Sequence, residues 1–416
     1  MSVFSLVATV FGLCALFGYL NVRFLKFPLT IGLMVVAILF SLLSLGVSSV
    51  FPGFLEFEKD LVNSIDFRVL LMEGMLSFLL FAGALHTDFN SLRKQFAAIL
   101  SFATLGVVVS TFLVATGMYY LLMAFGMQVD YLSCLLFGAL ISPTDPIAVL
   151  GILKQAKAPK KLEIKIVGES LFNDGVGVVV FLTLLQIAEL GIGQVTAGEI
   201  AFLFAEEVGG GIILGIGLGY LAYEMMRRID NYEVEVMITL AVVMVGYSVA
   251  SYLHFSGPLA MVAAGLFLGH DRLRDRSMSD ETEIYVDKFW EMIDVLCNAV
   301  LFVLMGLVII TLPNETIYWV IGLVSIPLAL LARSAALFIP IELLRKRLEF
   351  VPNTNAMMTW GGLRGGISIA LALSLPTSVP RELFLTITYV IVTFSIVVQG
   401  LTVGPFIKRV LKGEGV

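Results

Sequence analysis

Gly138-Ala139-Leu140-Ile141-Ser142-Pro143-Thr144-Asp145-Pro146 sits inside an otherwise apolar run, 131–153, and fixes how that run crosses a bilayer. The run is long enough to span. Pro143 and Pro146, however, each remove a backbone donor and push the residue before them away from helical dihedrals. A helix broken around Thr144 follows. The run 356–375 carries a second break of different chemistry, in which Trp360-Gly361-Gly362-Leu363-Arg364-Gly365-Gly366 sets four glycines around an arginine. Each glycine costs a helix about 1 kcal/mol relative to alanine, so no intact helix is expected there.

These are the fifth and twelfth of about thirteen apolar runs, near 3–20, 27–46, 67–87, 97–125, 131–153, 162–188, 199–223, 234–254, 257–270, 286–311, 316–342, 356–375 and 383–407. The 416 residues are 59% hydrophobic and 14% charged, with mean hydropathy +0.98. A soluble domain carries roughly 25% charge, so lipid is the expected solvent. In hydrocarbon, backbone polar groups must pair within helices or a closed barrel. Barrel strands are about 10 residues of alternating polarity, and these runs are longer and evenly apolar. The expected fold is an all-α polytopic membrane protein. Runs five and twelve are seven apart, the offset of inverted repeats over runs 1–6 and 8–13. Broken, crossing helices in matching positions of two halves mark the ion site of a transporter.

The basic residues set the expected orientation. With the N-terminus outside, 21 of the 26 Lys and Arg border inner loops, among them Arg23, Lys26, Arg93, Lys94, Lys160, Lys161, Arg345 and Lys408. Only Lys59, Arg68 and Arg381 lie outside, with Arg333 and Arg364 inside runs. This bias predicts a multi-pass inner-membrane protein with a cytoplasmic C-terminus. The first run has no basic residues before it and is not expected to be a cleaved signal. Cys14, Cys134 and Cys297 read as small core residues, and His86, His254 and His270 are too scattered for a metal site. Gly211, Gly215 and Gly219 in the seventh run predict close helix packing. The mixed stretch 47–66 predicts an interfacial segment.

The sixth run holds the chemistry, as Glu169-Ser170-Leu171-Phe172-Asn173-Asp174-Gly175. Charge at the bilayer centre costs at least about 2.5–3.5 kcal/mol on insertion scales, so each such side chain needs a role. Asp174 lies about 12 residues, roughly 18 Å, along the helix from Leu162, which is mid-membrane. Asp145 reaches a similar depth from the other side. Ser170 and Asp174 share a face at i, i+4, and the carbonyls freed at Thr144 add hard oxygen donors. An oxygen-only set suits a small hard cation. Glu169, about 140° round the helix from Asp174, is expected to pair with Arg364, while Arg333 is expected to snorkel toward the cytoplasm.

Thr144-Asp145-Pro146, the Glu169 to Gly175 segment and Gly361-Gly362-Leu363-Arg364-Gly365-Gly366, in that order, resemble the NhaP/NHE branch of monovalent cation/proton antiporters. The resemblance implies a transported Na⁺ bound at Asp174, Asp145, Ser170 and Thr144, with Asn173 in an Asn-Asp pair and Glu169 and Arg364 in support. It also implies a homodimer in the lipid bilayer, with no cofactor, no nucleic-acid partner and no enzymatic activity. Helices 1–3 (1–94) and 7–10 (191–312) form the scaffold, and helices 4–6 (95–190) and 11–13 (313–416) the moving core. Many relatives carry a glutamate in the third run where this chain has Ala82, which supplies no carboxylate. Electrogenic relatives carry an aspartate at the position of Asn173, which cannot titrate, so electroneutral 1:1 exchange is expected. Removing water penalises a charged carboxylate, letting H⁺ and Na⁺ compete for Asp174. The alternatives are a K⁺/H⁺ or broad cation/H⁺ antiporter (Li⁺ included) and a Na⁺-coupled organic anion symporter.

Overall fold

Backbone amides have no water to bond in hydrocarbon, and the apolar runs fold as helices in the computed structural model, which describes residues 2–67, 69–145, 149, 152–153, 158–190, 197–270, 273–274, 278–346, 348 and 350–413. Pro146 and Arg68 lie outside the described residues, as do Lys154, Lys157, Arg272, Arg276 and Arg347, five of the 21 basic residues assigned to inner loops. The chain begins with α1 (Val3–Leu20), α2 (Leu29–Val47) and the short α3 (Pro52–Asn63). A π-helical stretch leads into α4 (Leu76–Leu85), and α5 (Phe89–Ser101) continues through a π turn, Phe102–Gly106, into α6 (Val107–Ala124). α7 (Tyr131–Ile141) stops at the first break. Then come α8 (Lys160–Leu190), α9 (Ala197–Met226), α10 (Tyr232–Tyr252), α11 (Gly257–Leu268) and α12 (Asp280–Leu307). α13 (Thr316–Leu344) precedes the half-helices α14 (Thr354–Gly361) and α15 (Gly366–Leu373). α16 (Arg381–Phe394) runs through a π turn, Ser395–Gln399, into α17 (Gly400–Gly413).

Among the described residues, nine helical stretches are long and apolar enough to cross a membrane, and three shorter apolar ones accompany them. Side-chain caps set several starts: Asp88 accepts from the Ser91 amide at 3.0 Å, Asp130 from Ser133 at 2.8 Å and Asn231 from Val234 at 3.0 Å. Each satisfies a donor that the first helical turn leaves open. The segment expected at the interface folds as α3, which buries Glu58, Leu61 and Val62 and packs on α2.

Two groups of helices are visible in the packing. α8 lies against α5 and α7, α6 against α7 and α13, and α16 against α13 and α15. On the other side α11 is held between α4, α9 and α10, and α12 packs on α2, α4 and α10. α11 has only 12 residues, about 18 Å of helix, too short to span hydrocarbon alone. It is almost wholly buried by protein, so its neighbours are other helices in place of lipid. The glycine stripe of α9 makes this possible. Gly211 faces the Ser256 carbonyl, Gly215 the Ala260 carbonyl and Gly219 the Phe267 side chain.

A methyl group at Gly215 would overlap the Ala260 carbonyl, whereas Gly217 faces open space. Gly215→Ala is therefore expected to lose about 1–3 kcal/mol through overpacking. Gly217→Ala should hold or gain up to about 1 kcal/mol from helix propensity. Thermal unfolding of both variants in detergent checks the pair, and equal melting temperatures would contradict the assigned packing face.

Candidate functional site

The two breaks meet. The Asp145 N–H donates to the Leu363 carbonyl at 2.7 Å, forming an isolated antiparallel bridge where the interrupted segments cross. Gly365 permits the approach, because a Cβ there would overlap the Asp145 carboxylate. Asp145 thus lies beside the start of α15, where unpaired backbone N–H groups favour negative charge. The opposite charge sits at the opposite kind of end. Arg364 Nη1 donates to the Ser142 and Pro143 carbonyls, the latter at 2.9 Å, just past the C-terminus of α7. Each break leaves backbone dipoles exposed, and a side chain from the crossing answers each.

Helix α8 supplies the third wall. Asn173 Nδ2 donates to Thr144 Oγ1 at 2.8 Å, while its Oδ1 accepts from the Thr144 N–H at 3.4 Å. Ser170 Oγ donates to the Thr144 carbonyl. Both residues therefore hold the extended segment in place. A hydroxyl that donates keeps its lone pairs, and a carbonyl accepts twice, so neither group is closed to a cation. Asp174 differs from its neighbours. It is 8% exposed, close enough to Asp145 to interact electrostatically, and accepts no hydrogen bond from the described residues. It lines a cavity of about 630 Å³ that also touches Thr144, Asp145 and Ser170. The same cavity reaches Asp88 and Lys160, which pair at 3.4 Å where α5 and α8 begin. Lys160 is 14 residues from Asp174, roughly 21 Å along the helix. The carboxylate is deep, yet open toward that end. Ala82 lies on the cavity wall, so the third run offers a methyl group here.

The expected Glu169–Arg364 pair does not form. Glu169 is clamped by Arg333, whose Nη1 and Nη2 reach its two carboxylate oxygens at 2.5 and 2.7 Å. The side chains are 3% and 1% exposed, so Arg333 does not snorkel. A planar guanidinium matches a carboxylate fork, and α13 presents it to the face of α8 turned away from Asp174. Arg364 serves the break carbonyls instead. Two polar residues of the last run also escaped notice in the sequence. Ser395 Oγ accepts from the Arg364 N–H at 2.9 Å and donates to Gln399 Oε1 at 2.7 Å, while Gln399 Nε2 donates to the Trp360 carbonyl at 3.0 Å. They share a π turn, a distortion frequent at functional sites. Their i, i+4 spacing in an apolar run was the available signal.

Comparison with known proteins matches residues 12–409 to the family model for the transmembrane sodium/hydrogen exchanger. The Na⁺/H⁺ antiporter NhaP of Pseudomonas aeruginosa is 47% identical over 415 residues, covering 99% of this chain and 97% of that protein. The Na⁺/H⁺ antiporter NhaH of Halobacillus dabanensis is 33% identical, covering 93% of each. Among solved structures, the sodium proton antiporter MjNhaP1 of Methanocaldococcus jannaschii superposes with TM-score 0.74 at 19% identity, covering 99% of this chain and 100% of that one. At that identity the superposition speaks for the fold alone.

Removing Arg333 leaves a buried carboxylate unpaired. Arg333→Gln should lower stability by about 3–5 kcal/mol, and the double variant Glu169→Gln/Arg333→Met by much less, because no charge is then stranded. Melting temperatures in detergent decide it. A double variant as unstable as Arg333→Gln would contradict the pairing.

Proposed function

The chain belongs to the sodium/hydrogen exchanger family, and from that premise we propose that its Na⁺/H⁺ exchange runs through one carboxylate, Asp174. One observation carries the assignment: Asp174 is buried and accepts no hydrogen bond from the described residues, yet borders the 630 Å³ cavity. Ser170, Asn173, Thr144 and Arg364, by contrast, are each engaged in hydrogen bonds at the crossing. A carboxylate removed from water and given no protein donor is stabilised by a proton or by a cation. Ser170, the Thr144 carbonyl and Asp145 complete an oxygen-only cage suited to Na⁺.

Alternating access follows from charge. With H⁺ or Na⁺ bound, Asp174 contributes no net charge and the core helices cross between the two open states. Empty, it carries −1 through a low-dielectric region, which is unfavourable. Exchange is thereby obligatory. The core is formed by 95–190 and 313–416, moving against 1–94 and 191–312, and the inner-membrane protein works as a homodimer with its N-terminus outside. In this orientation the Asp88–Lys160 end of the cavity is cytoplasmic, and the conformation described is open inward. Asn173 is a hydrogen-bonding clamp that cannot titrate, and Asp145 stays ionised beside the start of α15, so one H⁺ leaves for one Na⁺. K⁺ and Li⁺ are the alternatives for the same oxygen set, and the cation preference of proton movement in the assay below separates them from Na⁺.

In proteoliposomes with an internal pH dye, Na⁺-driven proton movement is expected in wild type and lost in Asp174→Asn protein that remains folded. Substantial exchange in that variant would remove the central assignment, and a K⁺ preference in the same assay would replace Na⁺. Under an imposed K⁺/valinomycin potential, rate and end-point should stay constant. A systematic shift would mean that more than one proton moves.

A further inference from the structure

Away from the crossing, another carboxylate is buried. Glu58 sits on α3, between the spanning stretches. It is 1% exposed and turns onto α2, where the buried Ser41 and Ser44 share a face at i, i+3. The Ser41 hydroxyl donates to Glu58 Oε1. Ser44 stands near enough to interact with the same carboxyl. Yet Ser44 Oγ and Glu58 Oε2 are both buried without a hydrogen-bond partner among the described residues. Two such orphans on adjoining groups call for one explanation.

The elements packed on α3 supply no counter-charge. They are α2, the turn Val308–Thr311 and α12. Neither α2 nor the turn carries an ionisable residue. Those of α12 end with Asp294 and Cys297, the latter roughly 16 Å of helix before the turn. On α3 itself Glu56, Lys59 and Asp60 are exposed, as are Asp66 and Glu315 nearby in the chain. A bare carboxylate with one donor is costly at such burial. Removal from water accordingly pushes the Glu58 carboxyl above its ordinary value of 4.5, against the pull of the Ser41 and Ser44 hydroxyls. A hard metal ion would need about six oxygens. One proton on Oε2 needs only an acceptor, and the Ser44 oxygen is one.

We propose that Glu58 is a second proton-binding site, with Oε2–H donating to Ser44 Oγ while Oε1 accepts from Ser41, and that this proton fastens α3 to α2 as a pH-sensitive latch. The latch does not depend on the exchange reading, and in the orientation proposed above it faces outward. When rising pH removes the proton, the new charge must be hydrated, and α3 lifts from α2 by local opening to reach water.

The folded protein keeps this proton over a range where the unfolded chain has lost it. Stability therefore falls as pH climbs from the ordinary 4.5 to the raised folded value, and levels off beyond it. Glutamine copies the protonated acid, donating to Ser44 and accepting from Ser41, but cannot titrate. Glu58→Gln should nearly match wild type at about pH 5 and melt roughly 2–4 °C higher at about pH 8. Amide hydrogen exchange at 52–63, corrected for its intrinsic pH dependence, should rise with pH in wild type and stay flat in Glu58→Gln. In infrared spectra of Asp174→Asn protein at neutral pH, adding Glu58→Gln should remove intensity from the protonated-carboxyl band. A glutamine variant that fails to fold, or melts below wild type at neutral pH, overturns the latch. So does an infrared difference showing an ionised carboxylate at Glu58, or exchange at 52–63 that is indifferent to Glu58→Gln. Na⁺-driven proton movement judges the exchange site alone and should survive Glu58→Gln.

Discussion

One backbone hydrogen bond, from the Asp145 N–H to the Leu363 carbonyl, marks the place on which the molecule is organised. Two chain segments that cannot be helical pass each other there in the middle of an apolar medium. Their polar groups have no lipid partner, and at the described residues of the crossing the protein supplies partners. Arg364 takes the carbonyls beyond α7, Asn173 and Ser170 take Thr144, and Ser395 takes the Arg364 amide. The result is a frame of engaged donors and acceptors around the crossing. Among the described residues Asp174 accepts no hydrogen bond. An unengaged carboxylate beside such a network is where a mobile ion has most to gain.

The same accounting explains why charges of like type play different parts. Glu169 and Asp174 lie five residues apart on α8, yet one is locked in a bidentate pair and the other opens to a cavity. The difference is helical phase: the face carrying Glu169 meets α13, and the face carrying Asp174 meets the crossing. Ionic locking of the first face gives α8 a fixed position from which the second can present its carboxylate at constant depth.

Much of this was legible in the chain. Pro143 and the glycines around Arg364 announce the two interruptions that meet at Asp145 and Leu363, and the i, i+4 spacing of Ser170 and Asp174 puts both on the cavity. The glycine stripe of α9 announced its close packing, which falls on α11. What failed was pairing. Arg364 is the conspicuous buried cation beside a motif, yet Glu169 meets Arg333 and Arg364 meets the break carbonyls. Spacing along one helix fixes which face a side chain uses, but not which helix that face meets. The presence of two intramembrane arginines for one spare glutamate was the unread hint. Ser395 and Gln399 were invisible for a related reason: single hydroxyls and amides in apolar runs have many bland roles, and only the crossing gives them partners.

The cavity beside Asp174 has one further consequence. Its volume of about 630 Å³ corresponds to on the order of twenty water molecules at liquid density. A conformation that seals the carboxylate by closing this space returns water to bulk. Opening and closing are therefore coupled to the chemical potential of water itself. Osmotic strength acts on such a protein directly through solvent, apart from any change in the concentration of the ions it carries.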